Sequence, residues 1–142
     1  MSDAEDCKRY LSKIVESIQL LAADFDTQVK SLPDSVHVPD EVLLEYGDSF
    51  LLAKQVRAAG LIDEFQYARM QDLSDAVDSV VVPENYSEAL GAMKSHPSWQ
   101  MLRSQAADVL QSLGIEKRPP DLSHITYVKI ERSHTEDQKT PG

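Results

Sequence analysis

Apolar residues recur at helical spacing along most of the chain, and the clearest pattern consists of two segments that meet at Gly60. Within residues 39–80 the apolar positions fall mostly three or four residues apart, as they do on one face of an α-helix. They are Leu43, Tyr46, Phe50, Ala53 and Val56 before the glycine, and Phe65, Ala68, Leu73, Ala76, Val77 and Val80 after it. The pattern predicts two helices folded back on each other as a hairpin.

The turn between these helices carries strong local signals. Gly60 suits the left-handed position that follows a helix end, and the apolar residue after it can fold back on that end. Asp63 and Gln66 have the spacing of a capping box, and Ile62 and Tyr67 have the spacing of a hydrophobic staple. We therefore expect a tight turn followed at once by a new helix.

The same reasoning places the other helices. Residues 4–32 predict one long helix, which Pro33 ends because the residue before a proline avoids helical geometry. A short fourth helix is predicted over residues 88–94, capped by Asn85 or Ser87. A fifth is predicted to begin at Pro97 and to stop at Gly114.

After Gly114 the pattern changes. Residues 125–130 alternate and are rich in β-branched side chains, which is typical of a strand or an extended segment across the bundle. Residues 133–142 are polar, and we expect a disordered tail there. The chain is thus predicted to be an all-α bundle of about five helices with an extended C-terminal segment, and residues 1–132 to form its single domain.

Composition indicates the cellular environment in which this bundle is expected. The chain has 142 residues, 42% of them hydrophobic, and a single cysteine, Cys7, which cannot form an internal disulfide. No apolar run reaches the roughly 20 residues of a membrane span, and the first residues lack the hydrophobic core of a signal peptide. We therefore expect no membrane association and a cytoplasmic location.

The distribution of charge points to a class of partner. The net charge is −10, and residues 34–93 hold twelve acidic residues against only Lys54, Arg57 and Arg69. A field of this sign repels phosphate, so nucleic acid is not an expected partner. It attracts basic protein surfaces and accelerates association with them at low salt. The alternative interpretation is a solvated acidic surface that only keeps the protein soluble.

Part of this acid lies in rows along the predicted hairpin. Glu41, Glu45 and Asp48 share one helical face, and Asp72 and Asp75 form a shorter row on the second helix. Acidic residues in a first helical turn complement the helix dipole, which accounts for those at the helix starts. The helix dipole does not explain five of the remaining acidic residues: Glu45, Asp48, Asp72, Asp75 and Asp78.

Four of these acidic residues form two pairs that suggest an enzymatic alternative. Glu45 with Asp48 and Asp72 with Asp75 have the spacing to hold Mg²⁺ over a nucleotide phosphate. In outline this resembles the all-α nucleoside-triphosphate pyrophosphatases, although three of the four residues are Asp where that family uses mostly Glu. The four histidines and Cys7 do not show zinc-ligand spacing. Our main interpretation is therefore non-enzymatic, with no cofactor and no metal.

A second resemblance rests on motifs within and between the predicted helices over roughly residues 40–114. They are Leu51-Leu52, Gly60-Leu61-Ile62, the acidic segment ending near Asp78, Ser95-His96-Pro97-Ser98-Trp99, and Leu113-Gly114. In this order they resemble the small α-helical immunity proteins encoded beside bacterial polymorphic toxins, including those of contact-dependent inhibition systems.

The resemblance implies stoichiometric inhibition of a cognate toxin domain, often a basic nuclease. An acidic helical face would then bind the toxin, with tyrosines beside it as aromatic anchors. The predicted interface residues are Glu45, Asp48, Asp72, Asp75, Asp78, Tyr46 and Tyr67. The sequence leaves open whether the protein is a monomer or a homodimer.

Overall fold

The computed structural model describes residues 2–123, which form seven helices and no strand. They are α1 (Ser2–Ala22), α2 (Phe25–Ser31), α3 (Val38–Phe50), α4 (Ala53–Ala58), α5 (Glu64–Ser79), α6 (Tyr86–Ser95) and α7 (Pro97–Ser112). The predicted all-α class is confirmed. The count exceeds five because two of the predicted helices are each broken in two. The predictions for residues 125–130 and 133–142 lie outside the described residues.

The core is organised around α1, which packs against α3, α4 and α7. Ile14, Ile18 and Leu21 on this helix are fully buried. From the other side of the core, Trp99 and Leu102 of α7 are also almost completely buried. Burial of side chains of this size contributes about 1.5–3 kcal/mol each to folding, so the contact between α1 and α7 accounts for much of the stability.

The prediction of one helix over residues 4–32 is wrong, because the chain breaks between α1 and α2. Asp24 is extended and caps α2, accepting a hydrogen bond from the Thr27 backbone N–H at 2.8 Å. The amide of Gln28 donates to the carbonyls of Leu20 and Leu21 at 3.1 and 3.2 Å, at the end of α1. Side chains thus satisfy helix-end groups on both sides of the break.

Gln28 also connects this break to α7. Its side chain is fully buried, and its carbonyl oxygen accepts from the Arg103 guanidinium at 2.9 Å. Arg103 in turn donates to the carbonyl of Met93 on α6. A buried amide on α2 that hydrogen-bonds to both α1 and α7 fixes the relative positions of these three helices, because a shift of any one would leave buried polar groups unsatisfied.

The first helix of the predicted hairpin is also broken, at Leu51 and Leu52. The Leu52 N–H donates to the carbonyl of Ser49, three residues back, at 3.0 Å. This tighter turn redirects the chain. Ala53 and Val56 of α4 then enter the core, and α4 contacts both α1 and α5.

The turn at Gly60 is confirmed. Gly60 has φ +78°, and the Leu61 N–H folds back to the carbonyl of Val56 at 3.2 Å, as in a Schellman motif. The capping box is also confirmed. The Gln66 N–H donates to the Asp63 carboxylate at 2.7 Å, and the Asp63 N–H donates to the Gln66 side chain at 2.8 Å.

The helix starts at α6 and α7 agree with the predictions and add one feature. Asn85 caps α6, accepting from the Glu88 N–H at 3.0 Å. Pro97 opens α7, and its cap is His96, whose Nδ1 accepts from the Ser98 N–H at 3.1 Å. Gly114, with φ +71°, ends α7 in the same left-handed conformation as Gly60.

The segment that follows α7 lies along α1. The fully buried Gln19 side chain donates to the Glu116 carbonyl and accepts from the Arg118 N–H, both at 2.9 Å. Glu16 binds the Arg118 guanidinium and accepts from the Asp121 N–H at 2.7 Å. Two polar side chains of α1 thus hold residues 116–121 in place.

Cys7 is buried near the start of α1, and its thiol lies 3.7 Å from the Gln55 carbonyl of α4. It is therefore a packing residue between two helices. No helix in the described part of the chain is long and apolar enough to cross a membrane.

Candidate protein-binding surface

Two of the predicted anchor residues, Tyr46 and Tyr67, lie inside the protein. Tyr46 is fully buried, and its hydroxyl donates to the Met70 carbonyl of α5 at 2.6 Å. Burial raises the pKa of this phenol far above its usual value, so the hydroxyl stays protonated. Tyr67 is 6% exposed and stacks on Phe50, with ring centroids 5.8 Å apart.

The two tyrosines therefore belong to an aromatic column rather than to an exposed surface. Phe50 stacks on Tyr46 at 5.6 Å and on Tyr67 at 5.8 Å, so the three rings join α3 to α5. The Arg57 guanidinium lies 4.4 Å from the centre of the Tyr67 ring. The prediction that Tyr46 and Tyr67 anchor a partner at the surface is wrong, because these rings hold the helices together.

Glu45 is also inside, at 3% exposure. Helix α3 buries Val42, Tyr46 and Ser49 as well, so its buried face is wide and includes the position of Glu45. Glu41 is half-buried. The predicted row of Glu41, Glu45 and Asp48 is therefore not an exposed acidic face, and only Asp48 of the three is exposed.

The other predicted acids are at the surface. Asp48 on α3 and Asp72, Asp75 and Asp78 on α5 are all exposed, and we call these four the aspartate surface. Each ion pair found among the described residues involves other acids: Asp6, Glu16, Asp40 and Glu64. The charge of the aspartate surface is thus not neutralised by a salt bridge within this part of the chain.

The two arginines of this region, Arg57 and Arg69, contact other side chains. Arg57 binds Glu64 at 3.3 Å besides covering Tyr67. The Arg69 guanidinium lies 5.5 Å from the ring centre of Phe65, which is 62% exposed. Phe65 and Ala68, predicted to lie on the apolar face of their helix, are both exposed, because α5 instead buries Tyr67, Met70, Leu73 and Val77.

Sequence reasoning missed an apolar feature on the outer side of α3. Leu44 is 51% exposed and Leu51, directly after the helix, is 77% exposed. They are seven residues apart and therefore lie on one face, with Gly47 and Asp48 between them. The available signal was that Leu44 and Leu51 fall outside the stripe of Leu43, Tyr46 and Phe50.

Neither backbone conformation nor packing among the described residues requires glycine at position 47. It lies inside α3 without a positive φ, and a Cβ added there would meet no heavy atom within 4 Å. A glycine inside a helix costs roughly 0.5–1 kcal/mol relative to alanine. Here that cost is not offset by close packing against any other described residue.

The arrangement needed for the enzymatic alternative is not formed. Within residues 2–123, no three His, Cys, Asp or Glu side chains are grouped so that they could hold a metal ion. Glu45 lies in the interior, whereas Asp48, Asp72 and Asp75 point to solvent. Elsewhere, an open pocket of about 220 Å³ between Asp24, Thr27 and Arg118 mixes acidic and basic side chains.

The chain has no significant match among protein-family models, curated proteins or solved structures.

Proposed function

We propose that this protein is a non-enzymatic immunity protein that binds and neutralises a basic toxin domain in the cytoplasm. The observation that carries the proposal is the aspartate surface: Asp48, Asp72, Asp75 and Asp78 are exposed, and none forms an ion pair with another described residue. The motif order described above is the reason for choosing a toxin among basic partners.

The aspartate surface suits this role physically. Like charges on neighbouring turns of α5 repel one another by a few tenths of a kcal/mol per pair, and a basic partner relieves that repulsion. Complementary potentials also raise the association rate, which favours capture of a toxin before it acts. Against a nuclease, carboxylates at this surface would occupy positions that the phosphates of its substrate otherwise take.

The test uses the full chain and the protein encoded by the adjacent reading frame. We expect a 1:1 complex by isothermal titration calorimetry, and restored growth when both proteins are produced in one cell. Replacing all four aspartates with asparagine should raise Kd at least about tenfold and flatten the salt dependence of the association rate.

A matched control removes as many charges elsewhere. Glu5, Asp34, Asp108 and Glu116 are exposed and lie outside the aspartate surface, and their amide variants remove the same number of negative charges. This control should retain most of the affinity. Full affinity in the aspartate-surface variant, or the absence of a complex with the wild type, would overturn the proposed function.

A further inference from the structure

We propose that the outer face of α3, formed by Leu44, Gly47, Asp48 and Leu51, is the docking surface for a basic amphipathic helix of the partner. This inference rests on the proposed function and specifies where the partner is held and which secondary structure it presents.

The first support is apolar exposure in one line. Leu44 and Leu51 are 51% and 77% exposed, and their spacing of seven residues places them two turns apart on one face. Single exposed leucines are common on soluble proteins and carry no meaning alone. Two leucines aligned at i and i+7 occupy two of the anchor positions that helix-in-groove recognition uses.

The second support is Gly47, which lies in that gap. Its backbone conformation does not require glycine, and a Cβ there would touch none of the described residues. The residue therefore weakens α3 without improving any contact in the described fold. Because glycine has no side chain, its position between the two leucines allows a partner side chain or backbone to approach the helix closely.

The third support is charge, which selects the occupant. Helix α3 contains no Lys or Arg, Asp48 adjoins Gly47 on the same face, and the neighbouring α5 carries Asp72, Asp75 and Asp78. A second copy of this chain would bring the same acids and a net charge of −10. An anionic lipid surface would also be repelled. A basic helix with apolar residues on one side satisfies both the leucines and the aspartates.

Gly91 supplies a matched control. It also lies inside a helix, α6, without a positive φ, and a Cβ there would also touch none of the described residues; Gly91 is exposed, whereas Gly47 is half-buried. Gly47→Ala and Gly91→Ala should both raise the Tm slightly, because each removes glycine from a helix interior. Gly47→Leu and Gly91→Leu should both remain folded, since space is open at both positions. Any difference in binding between the two sites then reports on the surface rather than on folding.

The probe is a fluorescein-labelled peptide of leucine and lysine, about 18 residues or five helical turns long, with the leucines on one face. Fluorescence anisotropy with the full chain measures its Kd. We expect Gly47→Leu to raise Kd at least about tenfold, Gly91→Leu to leave it unchanged, and a double Leu44→Ser, Leu51→Ser variant to raise it similarly. A peptide with glutamate in place of lysine should not bind.

Each outcome decides the proposal. Equal effects of Gly47→Leu and Gly91→Leu, or equal binding of the glutamate peptide, would overturn it. A concentration-dependent dimer that Gly47→Leu abolishes would also overturn it, by assigning the face to a second copy.

The same variants with the adjacent-frame protein separate this inference from the proposed function. A complex that tolerates Gly47→Leu but loses affinity when the four aspartates are replaced leaves the proposed function standing and removes the α3 docking surface. A complex that is indifferent to the four aspartates removes the proposed function.

Discussion

At the scale of single residues, Tyr46 shows how one hydroxyl fixes the relation of two helices. Its ring projects from α3 into the protein core, and its O–H donates at 2.6 Å to the Met70 carbonyl of α5. Because a buried carbonyl loses contact with water, it gains from this donor. The polar end of the ring thus sets the position of α5 along α3, while the apolar body packs with Phe50.

Removing that hydroxyl tests its contribution. Tyr46→Phe keeps the ring and should lower the free energy of unfolding by about 1–2 kcal/mol, because the Met70 carbonyl loses a buried donor. Urea denaturation followed by circular dichroism measures the change. Tyr86→Phe is the control, since Tyr86 is 41% exposed and contacts His37 through its ring, and it should change stability by less than about 0.5 kcal/mol. Equal losses in the two variants would contradict this role for Tyr46.

At the scale of elements, signals that reside in a few adjacent residues were readable from the sequence, and signals that depend on tertiary packing were not. Gly60 and the Asp63 capping box specify their turn by local backbone chemistry alone. The break at Asp24 was hidden because apolar spacing continues on both sides of it, and because Gln28, which secures it, bonds to Arg103 far along the chain. The position of Glu45 in the sequence likewise did not indicate how much of the surface of α3 the other helices cover.

Asp24 makes the break between α1 and α2 sensitive to acid. The hydrogen bond from the Thr27 backbone N–H is the main cause that lowers the pKa of Asp24 below its usual value. A carboxyl group with a lowered pKa in the folded state contributes stability above the unfolded value, about 3.9, and loses it as the pH falls through the folded value. The Asp24 contribution is therefore present at pH 5 and declines below about pH 4.

Asp24→Asn isolates this effect, because asparagine caps a helix about as well and carries no charge. From about pH 5 to about pH 3, the Tm of the wild type should fall further than that of Asp24→Asn. Thermal melts at both pH values measure the difference. Asp26→Asn is the control, since Asp26 is also exposed on α2 but does not form the cap. Parallel falls in wild type and Asp24→Asn would contradict the assignment.

At the scale of the whole molecule, structural and charged features occupy different places. The described helices share one core around α1, and residues 116–121 are held along the same helix by Glu16 and Gln19. The uncompensated acids of the aspartate surface lie instead on α3 and α5. The acidic excess is local to residues 34–93, and an uneven field of this kind orients an approaching basic partner, which an evenly spread charge of −10 would not do. Helices α3 and α5 thus contribute one face to the core and carry these exposed aspartates on other positions.

The burial of Cys7 provides a chemical measure of how often this part of the protein opens. It is the single cysteine of the chain, and its thiol is covered where α1 meets α4. An alkylating reagent reaches the sulfur when α1 and α4 separate or when the first turns of α1 unfold, so the labelling rate reports how often this region opens. Where opening is fully reversible, each 1.4 kcal/mol of added stability should slow labelling about tenfold. Mass spectrometry of the intact chain, with and without the basic peptide, would follow this rate without altering a single residue.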